Sequence, residues 1–501
     1  MDRLFAIDRR ATPWFGLIVV VPLALAAGGL TGGGTAPPSA PDEEVVWDGS
    51  IAGRQSATVR PQLLQARFSA QPRRPTAAQL RNSRAHMQRS QEAWAAREPQ
   101  SPGAVTGPRP GTETSLRRPS APGTLTIFRN TTLAPPGGYS SSINEPAVSQ
   151  SGKFVWYTHN WYAARSIDGG QSWSYTDPYA DFADFCCDQD TIYDPARDMH
   201  LWYRQGLVPV GGTQNVFKLG ASLDGGATWC MYTVAPTNVD GTWTNRWWDY
   251  PRLHLQNNNL LITTNLFTTA GVFDRMVLLR YNLQTLRNCG AASATYWSVT
   301  TGWSWSGVEG SDTAFYMGDT YNAGAGTIRI YKNAQGASPL TYVDRTVAAW
   351  TFTNRNGNCP ILGASDPCER ADQTITGAWI RSVGGYREIG FFWNVKEGGG
   401  FTYPYIDSAT FREAGLSLQG QPIMLFHPQH LPGHGGRARR RLQMGFRRPG
   451  TSMSPTPARR GPRGTCGATT AGSGPSALRA PPGLPPATPS NPASETLSPG
   501  S

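Results

Sequence analysis

Two stretches decide the fold of this chain, Ser166-Ile-Asp-Gly-Gly-Gln-Ser-Trp173 and Ser222-Leu-Asp-Gly-Gly-Ala-Thr-Trp229. They share one eight-residue pattern, and their aspartates lie 56 positions apart. In each stretch the carboxylate can accept hydrogen bonds from nearby backbone N–H groups, and Gly-Gly supplies positive φ angles at no steric cost. Each repeat is therefore predicted to be a tight hairpin whose tryptophan enters an apolar layer. The structural residues predicted are Ser166, Asp168, Gly169, Gly170, Trp173, Ser222, Asp224, Gly225, Gly226 and Trp229.

The two repeats resemble the Asp-box of the sialidase-like (BNR-repeat) β-propellers. The resemblance implies that each box joins the outer two strands of a four-stranded blade, away from the active site. Short alternating apolar runs between Gly, Asn and Asp turns also favour an all-β chain. Residues 125–426 can hold six repeats of about 40–50 residues each. We therefore expect an all-β fold, a six-bladed sialidase-like β-propeller, over 125–426.

Charge separates this central region from both ends of the chain. The whole chain has a net charge of +11, whereas residues 125–426 carry 20 basic and 24 acidic side chains. The positive excess therefore belongs to the ends. This argues against nucleic acid as a partner of the folded part.

The N-terminal quarter is predicted to contain targeting and linking segments. In residues 1–31, three arginines precede an apolar run from Trp14 to Ala27, which is typical of a signal peptide or a membrane anchor. We expect a secreted or cell-surface protein, with membrane contact only through that anchor. Residues 32–124 are rich in Pro, Ala and Arg and are predicted to be a disordered linker, with one helix between Pro75 and Arg97.

The C-terminal residues 427–501 are predicted to be a disordered basic tail outside the propeller. They contain 10 Arg and one acid, Glu495, and the whole chain has 4 Lys against 41 Arg. Such a bias indicates GC-rich coding DNA, in which a reading-frame shift yields Arg, Pro, Gly and Ala. A frame-shifted, non-native tail is therefore the alternative to a natural disordered one.

Cysteine usage fits an exported chain. Six of the seven cysteines lie in the central region: Cys186, Cys187, Cys230, Cys289, Cys359 and Cys368. Disulfides are predicted rather than a metal site, because no CxxC pairs or clustered histidines are present. The pair Cys359–Cys368 is the favoured local bridge. Cys186 and Cys187 pair either elsewhere or with each other.

Acidic residues recur just ahead of the first strand of each predicted blade, and these are the candidate site. Because the innermost strands of a propeller line its central channel, the acids should converge on one face. The predicted catalytic residues are Glu145, Asp190, Asp249 and Tyr250. The predicted substrate-binding residues are Arg252, Asp319, Arg370 and Asp372.

Such acids support several chemistries. Paired carboxylates act as general acid and base, or as nucleophile, on a glycosidic bond. Several carboxylates with backbone carbonyls can instead hold Ca²⁺, which is the one cofactor suggested. Otherwise each aspartate accepts hydrogen bonds within its own turn.

The resemblance to sialidases is incomplete at the residues that bind sialic acid. That family grips the sialic-acid carboxylate with three arginines, the first in a Phe/Tyr-Arg-Ile-Pro segment. In this chain Ile143-Asn-Glu-Pro146 stands in its place without an arginine. Two functions remain open: a sialidase-type glycoside hydrolase, and a non-catalytic surface propeller that binds glycan or protein. In either case we expect a monomer whose partner is a carbohydrate or cell-surface glycan.

Overall fold

The computed structural model describes residues 44–95, 145–309, 314–321, 326–334, 339–350, 373–395, 405–421, 423–424 and 446–447. These residues are mostly β and form five antiparallel sheets. The mostly β character agrees with the sequence prediction. Within the described ranges the sheets number five, so the predicted sixth is not found there.

The first described segment precedes all the sheets in sequence. Its elements are β1 (Gly49–Ile51), β2 (Arg54–Gln55), β3 (Gln62–Gln65), β4 (Phe68–Ser69) and α1 (Ala77–Ala95). Helix α1 lies inside the stretch predicted to be helical.

The next elements build the first three sheets, each a meander of four strands. Sheet 1 contains β5 (Ala147–Ser151), β6 (Phe154–Thr158), β7 (Ala163–Ser166) and β8 (Ser174–Thr176). Sheet 2 contains β9 (Phe185–Asp194), β10 (Met199–Gly206), β11 (Phe217–Ser222) and β12 (Thr228–Val234), and is followed by α2 (Pro236–Val239). Sheet 3 contains β13 (Arg246–Gln256), β14 (Asn259–Thr268), β15 (Phe273–Asn282) and, after α3 (Leu283–Arg287), β16 (Thr295–Val299).

Sheet 4 is again a meander of four strands, whereas sheet 5 has six strands. Sheet 4 contains β17 (Ser306–Glu309), β18 (Ala314–Asp319), β19 (Thr327–Ala334) and β20 (Leu340–Thr346). Sheet 5 contains β21 (Ile375–Val383), β22 (Tyr386–Val395), β23 (Tyr405–Arg412), β24 (Leu418–Gly420), β25 (Ile423–Met424) and β26 (Phe446–Arg447). Within sheet 5, β24 and β25 both pair with β23.

Residues 44–69, which we call the N-terminal belt, add a fifth strand to four of the sheets. Strands β1, β2, β3 and β4 pair antiparallel with β20, β16, β12 and β8, so the belt visits sheets 4, 3, 2 and 1 in turn. This differs from the expectation of a disordered linker. The belt needs little apolar surface of its own because it satisfies the open backbone edges of the outer strands. Leu64 and Phe68 also pack against the aromatic cluster between sheets 1 and 2.

The first strands of consecutive sheets lie side by side, in the order β5, β9, β13, β17 and β21. The core is divided among the spaces between neighbouring sheets. One cluster joins Trp156 of sheet 1 to Trp202 and Trp229 of sheet 2, and larger clusters fill the spaces between sheets 2 and 3, 3 and 4, and 4 and 5. Because the first strands are adjacent, residues at their starts are brought to one face.

The two sequence repeats form the hairpins between the third and fourth strands of sheets 1 and 2. In the first, Oδ1 of Asp168 accepts the N–H of Ser172 at 2.9 Å. In the second, Oδ1 of Asp224 accepts the N–H of Thr228 at 2.8 Å. All four glycines of the two turns have positive φ, between 63° and 87°. Trp229 is fully buried, whereas Trp173 is only half-buried.

Two disulfides occur among the described residues. Cys230 in β12 bonds to Cys289 just after α3, which ties sheet 2 to sheet 3. Cys186 bonds to its neighbour Cys187 at the start of β9, so one of the two open alternatives is realised. The predicted Cys359–Cys368 pair lies outside the described residues, as do segment 1–31 and nearly all of 427–501. None of the helices within the described ranges is long and apolar enough to cross a membrane.

Candidate functional site

Three carboxyl groups from three sheets meet at the starts of the first strands. Glu145 lies just before β5, Asp188 lies in β9 and Asp249 lies in β13. The carboxyl group of Asp188 hydrogen-bonds with those of Glu145 and Asp249. Two of the four predicted catalytic residues, Glu145 and Asp249, are therefore brought together, with Asp188 between them. We call these three residues the carboxylate cluster.

Asp188 is the member of the carboxylate cluster that favours its protonated form. Burial raises its pKa well above the ordinary value, and the negative charges of Glu145 and Asp249 raise the pKa further. Three carboxylates in contact cannot all be ionised without strong repulsion. Contact among the three groups therefore favours a proton held on Asp188.

Amide side chains complete the carboxylate cluster on both sides. Nδ2 of Asn160 donates to Oε2 of Glu145 at 2.9 Å. Nε2 of Gln205, near the end of β10, donates to Oδ1 of Asp249 at 2.9 Å. Glu145 is exposed, whereas Asp249 is only 3% exposed. The cluster is thus open on the side of sheet 1 and closed on the side of sheet 3.

Asp190, the third predicted catalytic residue, lies two positions after Asp188 and so on the same face of β9. Its Oδ1 accepts the N–H of Thr191 at 2.7 Å and its Oδ2 accepts the N–H of Leu253 at 2.8 Å. Burial raises the pKa of Asp190 to about 6, against the lowering effect of these N–H groups and of Arg252. Asp190 joins β9 to β13 rather than joining the carboxylate cluster.

The other predicted catalytic residue, Tyr250, lies next to the cluster in sequence but belongs to a different environment. It occupies a β-bulge in β13 with φ of 55°. Its ring packs edge-on against Trp303, with 6.0 Å between centroids. A bulge re-aims side chains, so the position of Tyr250 beside Asp249 in the sequence does not by itself bring its ring to the carboxylate cluster.

The predicted substrate-binding residues are dispersed. Nη1 of Arg252 donates to the carbonyl of Ile375 at 3.0 Å, linking sheets 3 and 5. Asp319 is buried and accepts the N–H of Tyr321 at 2.9 Å, as expected for an aspartate that serves its own turn. Arg370 and Asp372 lie outside the described residues.

Helix α1 also reaches this face of the sheets. Its Ser83 and His86 are buried, at 1% and 3% exposure. Beside the helix lies a cavity of about 350 Å³, whose lining includes Asn82, His86, Arg89, Asp184 and Trp247. His86 therefore contributes both to this cavity and to the closed side of the carboxylate cluster.

Four contributors, Asp188, Asn160, Gln205 and His86, were not among the predicted site residues. The strand period places Asp188 and Asp190 on one face, but nothing in the sequence ranks one above the other. Gln205 and His86 carry no motif. Only their position beside Asp249 identifies them.

No metal centre is found in the part of the chain that the structure describes. Within those ranges, no group of three or more His, Cys, Asp or Glu side chains has an arrangement that could hold a metal ion. The Ca²⁺ site suggested by the sequence stays a prediction.

Comparisons with known proteins give distant structural similarities. No protein-family profile matches the sequence, and neither does any curated protein. Among solved structures, the chain is similar to a subtype N11 neuraminidase-like protein of A/flat-faced bat/Peru/033/2010 (H18N11), at 11% identity and a TM-score of 0.32, over 56% of this chain and 73% of that one. It is also similar to a thermostable family-43 glycoside hydrolase, at 12% identity and a TM-score of 0.28, over 56% of this chain and 95% of that one. A third similar structure is the GH43 endo-arabinanase from Bacillus licheniformis, at 12% identity and a TM-score of 0.24, over 54% of this chain and 94% of that one. The function proposed for this chain therefore depends on its own residues.

Proposed function

We propose that this protein is an exported glycoside hydrolase whose five described sheets are blades of a sialidase-like β-propeller. A sixth blade would come from residues outside the described ranges. The observation that supports the proposal is the carboxylate cluster, in which Asp188 bonds to both Glu145 and Asp249 and Glu145 is exposed to solvent. Strand starts on one face of a rigid scaffold are common positions for catalytic groups.

The roles follow from spacing and hydrogen bonding. Carboxyl groups that act on a glycosidic bond stand about 5–9 Å apart. Asp188 touches both neighbours, so the acting pair is Glu145 and Asp249, which flank it. Glu145 donates a proton to the leaving-group oxygen as the bond from that oxygen to the anomeric carbon breaks. Asp249, whose ionised form the N–H of Gln205 favours, takes a proton from the water molecule that attacks that carbon, so the sugar leaves with a hydroxyl group. Asp188 then passes its proton to Glu145 and receives the one taken up by Asp249, which restores the starting state.

Neutral sugars suit the described residues better than sialic acid. Arg252 donates to a backbone carbonyl, and Arg204 is fully buried in an ion pair with Asp181 at 2.6 Å. An acidic sugar would need guanidinium groups facing the site. We therefore expect a neutral glycan as the substrate.

The test is hydrolysis by the purified protein of a panel of fluorogenic glycosides and neutral polysaccharides. Glu145→Gln, Asp188→Asn and Asp249→Asn should each lower kcat by roughly 10²–10⁴-fold. Asp224→Asn, an isosteric change in an outer hairpin, is the matched control and should retain activity. Because the protonated form of Asp188 is the active one, activity should fall as pH rises through its raised pKa. In the residual activity of Asp188→Asn this decline should move to the pH at which Glu145 itself ionises.

Glycan binding without turnover would contradict the catalytic proposal and support the alternative, a non-catalytic surface propeller. Loss of activity in the Asp224→Asn control would also count against these roles, because that carboxylate lies away from the cluster.

A further inference from the structure

Helix α1 packs against the strands that carry Asp188 and Asp249. The hydroxyl oxygen of Ser83 lies 3.2 Å from the sulfur of Cys186 and 3.1 Å from that of Cys187. One turn further along the helix, His86 meets the ring of Trp247 edge-on, with 4.7 Å between centroids. Ser83 and His86 are thus fixed at the closed side of the carboxylate cluster.

The side-chain amide of Gln205 lies between His86 and Asp249. Its nitrogen is 2.9 Å from Oδ1 of Asp249 and 3.5 Å from Nε2 of His86. An amide nitrogen carries two protons, so it can donate one to the carboxylate and direct the other at the imidazole. His86 Nε2 and Asp249 Oδ1 are themselves 4.0 Å apart.

The imidazole can accept a hydrogen bond from that second N–H because the ring is neutral. Burial, followed by the charge of Arg89, lowers the pKa of His86 to about 3. A neutral imidazole has one nitrogen with a free lone pair. If the amide were reversed, its oxygen would face the carboxylate of Asp249, and the two would repel each other.

We propose that His86 is a positioning residue that acts through Gln205: it fixes the amide so that the nitrogen faces Asp249. Helix α1 is then part of the site, although it comes from a segment that precedes all five sheets. The catalytic consequence rests on the proposed function, whereas the effect on Asp249 does not.

Several charged and titratable groups surround Asp249. Asp188 faces it from β9, Tyr203 lies near it on β10, and His86 approaches from α1 with Arg89 behind. Gln205, which is not titratable, donates an N–H to the carboxylate. A donor of this kind favours the ionised form of an acid. Loss of its orientation should therefore make ionised Asp249 less favourable.

The test compares His86→Gln with His86→Leu, because His86 itself titrates and both variants remove that contribution. The side-chain oxygen of a glutamine at position 86 can accept a hydrogen bond from the amide of Gln205, whereas leucine cannot. We expect His86→Leu to be less stable than His86→Gln at about pH 7, with a gap of about fivefold in the equilibrium constant for unfolding. The gap should shrink as pH falls and Asp249 becomes protonated.

A second experiment removes Gln205, the residue through which His86 is proposed to act. In a Gln205→Leu background the two His86 variants should lose their pH-dependent difference, as a double-mutant cycle requires for coupled residues. Arg84→Ala, an exposed change on the same helix, controls for general effects on α1. If leucine at position 86 unfolds the protein, His86→Asn replaces it, since its amide is too short to reach Gln205.

A gap that is equal at all pH values, or that persists without Gln205, would reduce His86 to a packing role and overturn the proposal. On an active preparation, His86→Leu should lower kcat with little change in KM, and His86→Gln should restore it. If no glycoside is turned over, the proposed function fails. The stability cycle still decides the role of His86.

Discussion

Asp190 shows how a buried acid makes stability depend on pH. Its pKa in the folded protein is about 6, above the ordinary 3.8. Its contribution to stability is therefore fully present below about pH 4 and is lost as pH rises through 6. Asp190→Asn keeps an oxygen to accept the N–H of Leu253 but cannot ionise. We expect this variant to be more stable than the parent at neutral pH and similar to it near pH 4.

Denaturant unfolding between about pH 4 and neutral pH measures the stability difference between Asp190→Asn and the parent. Asp224→Asn is the control, because the pKa of Asp224 is shifted in the opposite direction. Burial raises the pKa of Asp224, but hydrogen bonds from Thr228 and Ser222 outweigh it and lower the pKa overall. Asp224→Asn should therefore lose stability relative to the parent at neutral pH. A stability difference for Asp190→Asn that does not vary with pH would contradict the argument.

At single positions the sequence predicted part of the candidate site. Acids at the starts of first strands identified Glu145 and Asp249, and the structure places both against Asp188. The sequence left open whether Asp319 binds substrate or serves its own turn, and it did not indicate the bulge at Tyr250, because both depend on local backbone geometry. The position of His86 beside Asp249 could not be predicted from the sequence, because its neighbours in the structure are distant in sequence.

Among elements, the paired hairpins offer a controlled comparison between two glycines. Gly170 and Gly226 occupy the same place in each repeat, with φ of 87° and 86°. A methyl group at Gly170 would have its nearest contact at 3.6 Å, on Trp173, whereas at Gly226 it would lie 2.5 Å from Trp156 of sheet 1. Both alanine variants incur the left-handed backbone cost of about 1–2 kcal/mol. Gly226→Ala should lose about 1–3 kcal/mol more through overpacking.

Thermal and denaturant unfolding of Gly170→Ala and Gly226→Ala would measure these costs. Equal losses would mean that the space around Trp156 adapts and that the two hairpins are interchangeable. A larger loss at Gly226 would show that the second hairpin also fixes the spacing of sheets 1 and 2. The eight-residue pattern predicted both turns but could not distinguish them, because the difference arises from the neighbouring sheet.

Composition predicted the helix in the N-terminal region but not the strands of the N-terminal belt. The helix between Pro75 and Arg97 was predictable because Ala, Gln, Arg and Leu favour helices. The four belt strands were not, because they have little alternation and few β-branched residues. Their strand conformation comes from pairing with outer strands that lie far away in sequence, and no local signal reports such pairing.

For the whole molecule, we expect the stability of the sheets to depend on the N-terminal belt, which pairs with their outer strands. The sequence predicted a mostly β chain with one site face, but it placed the start of the folded region at 125, beyond both the belt and α1. A protein that begins at Glu98 would leave the outer edges of β8, β12, β16 and β20 unpaired. Open edges promote association between molecules. We expect this shortened protein to unfold at a lower temperature and to aggregate, whereas one that begins at Glu44 stays soluble and folded.

Light scattering and thermal unfolding of the two shortened proteins would measure this dependence. A synthetic peptide covering residues 44–95, added to the protein that begins at Glu98, should raise its melting temperature in proportion to the logarithm of peptide concentration once binding saturates. A peptide with proline at Leu63 and Leu64 is the matched control, since proline removes the donor N–H groups that pair β3 with β12. If the protein lacking residues 44–95 were as stable and monomeric as the longer one, the belt would be an accessory and the folded region would begin where the sequence alone placed it.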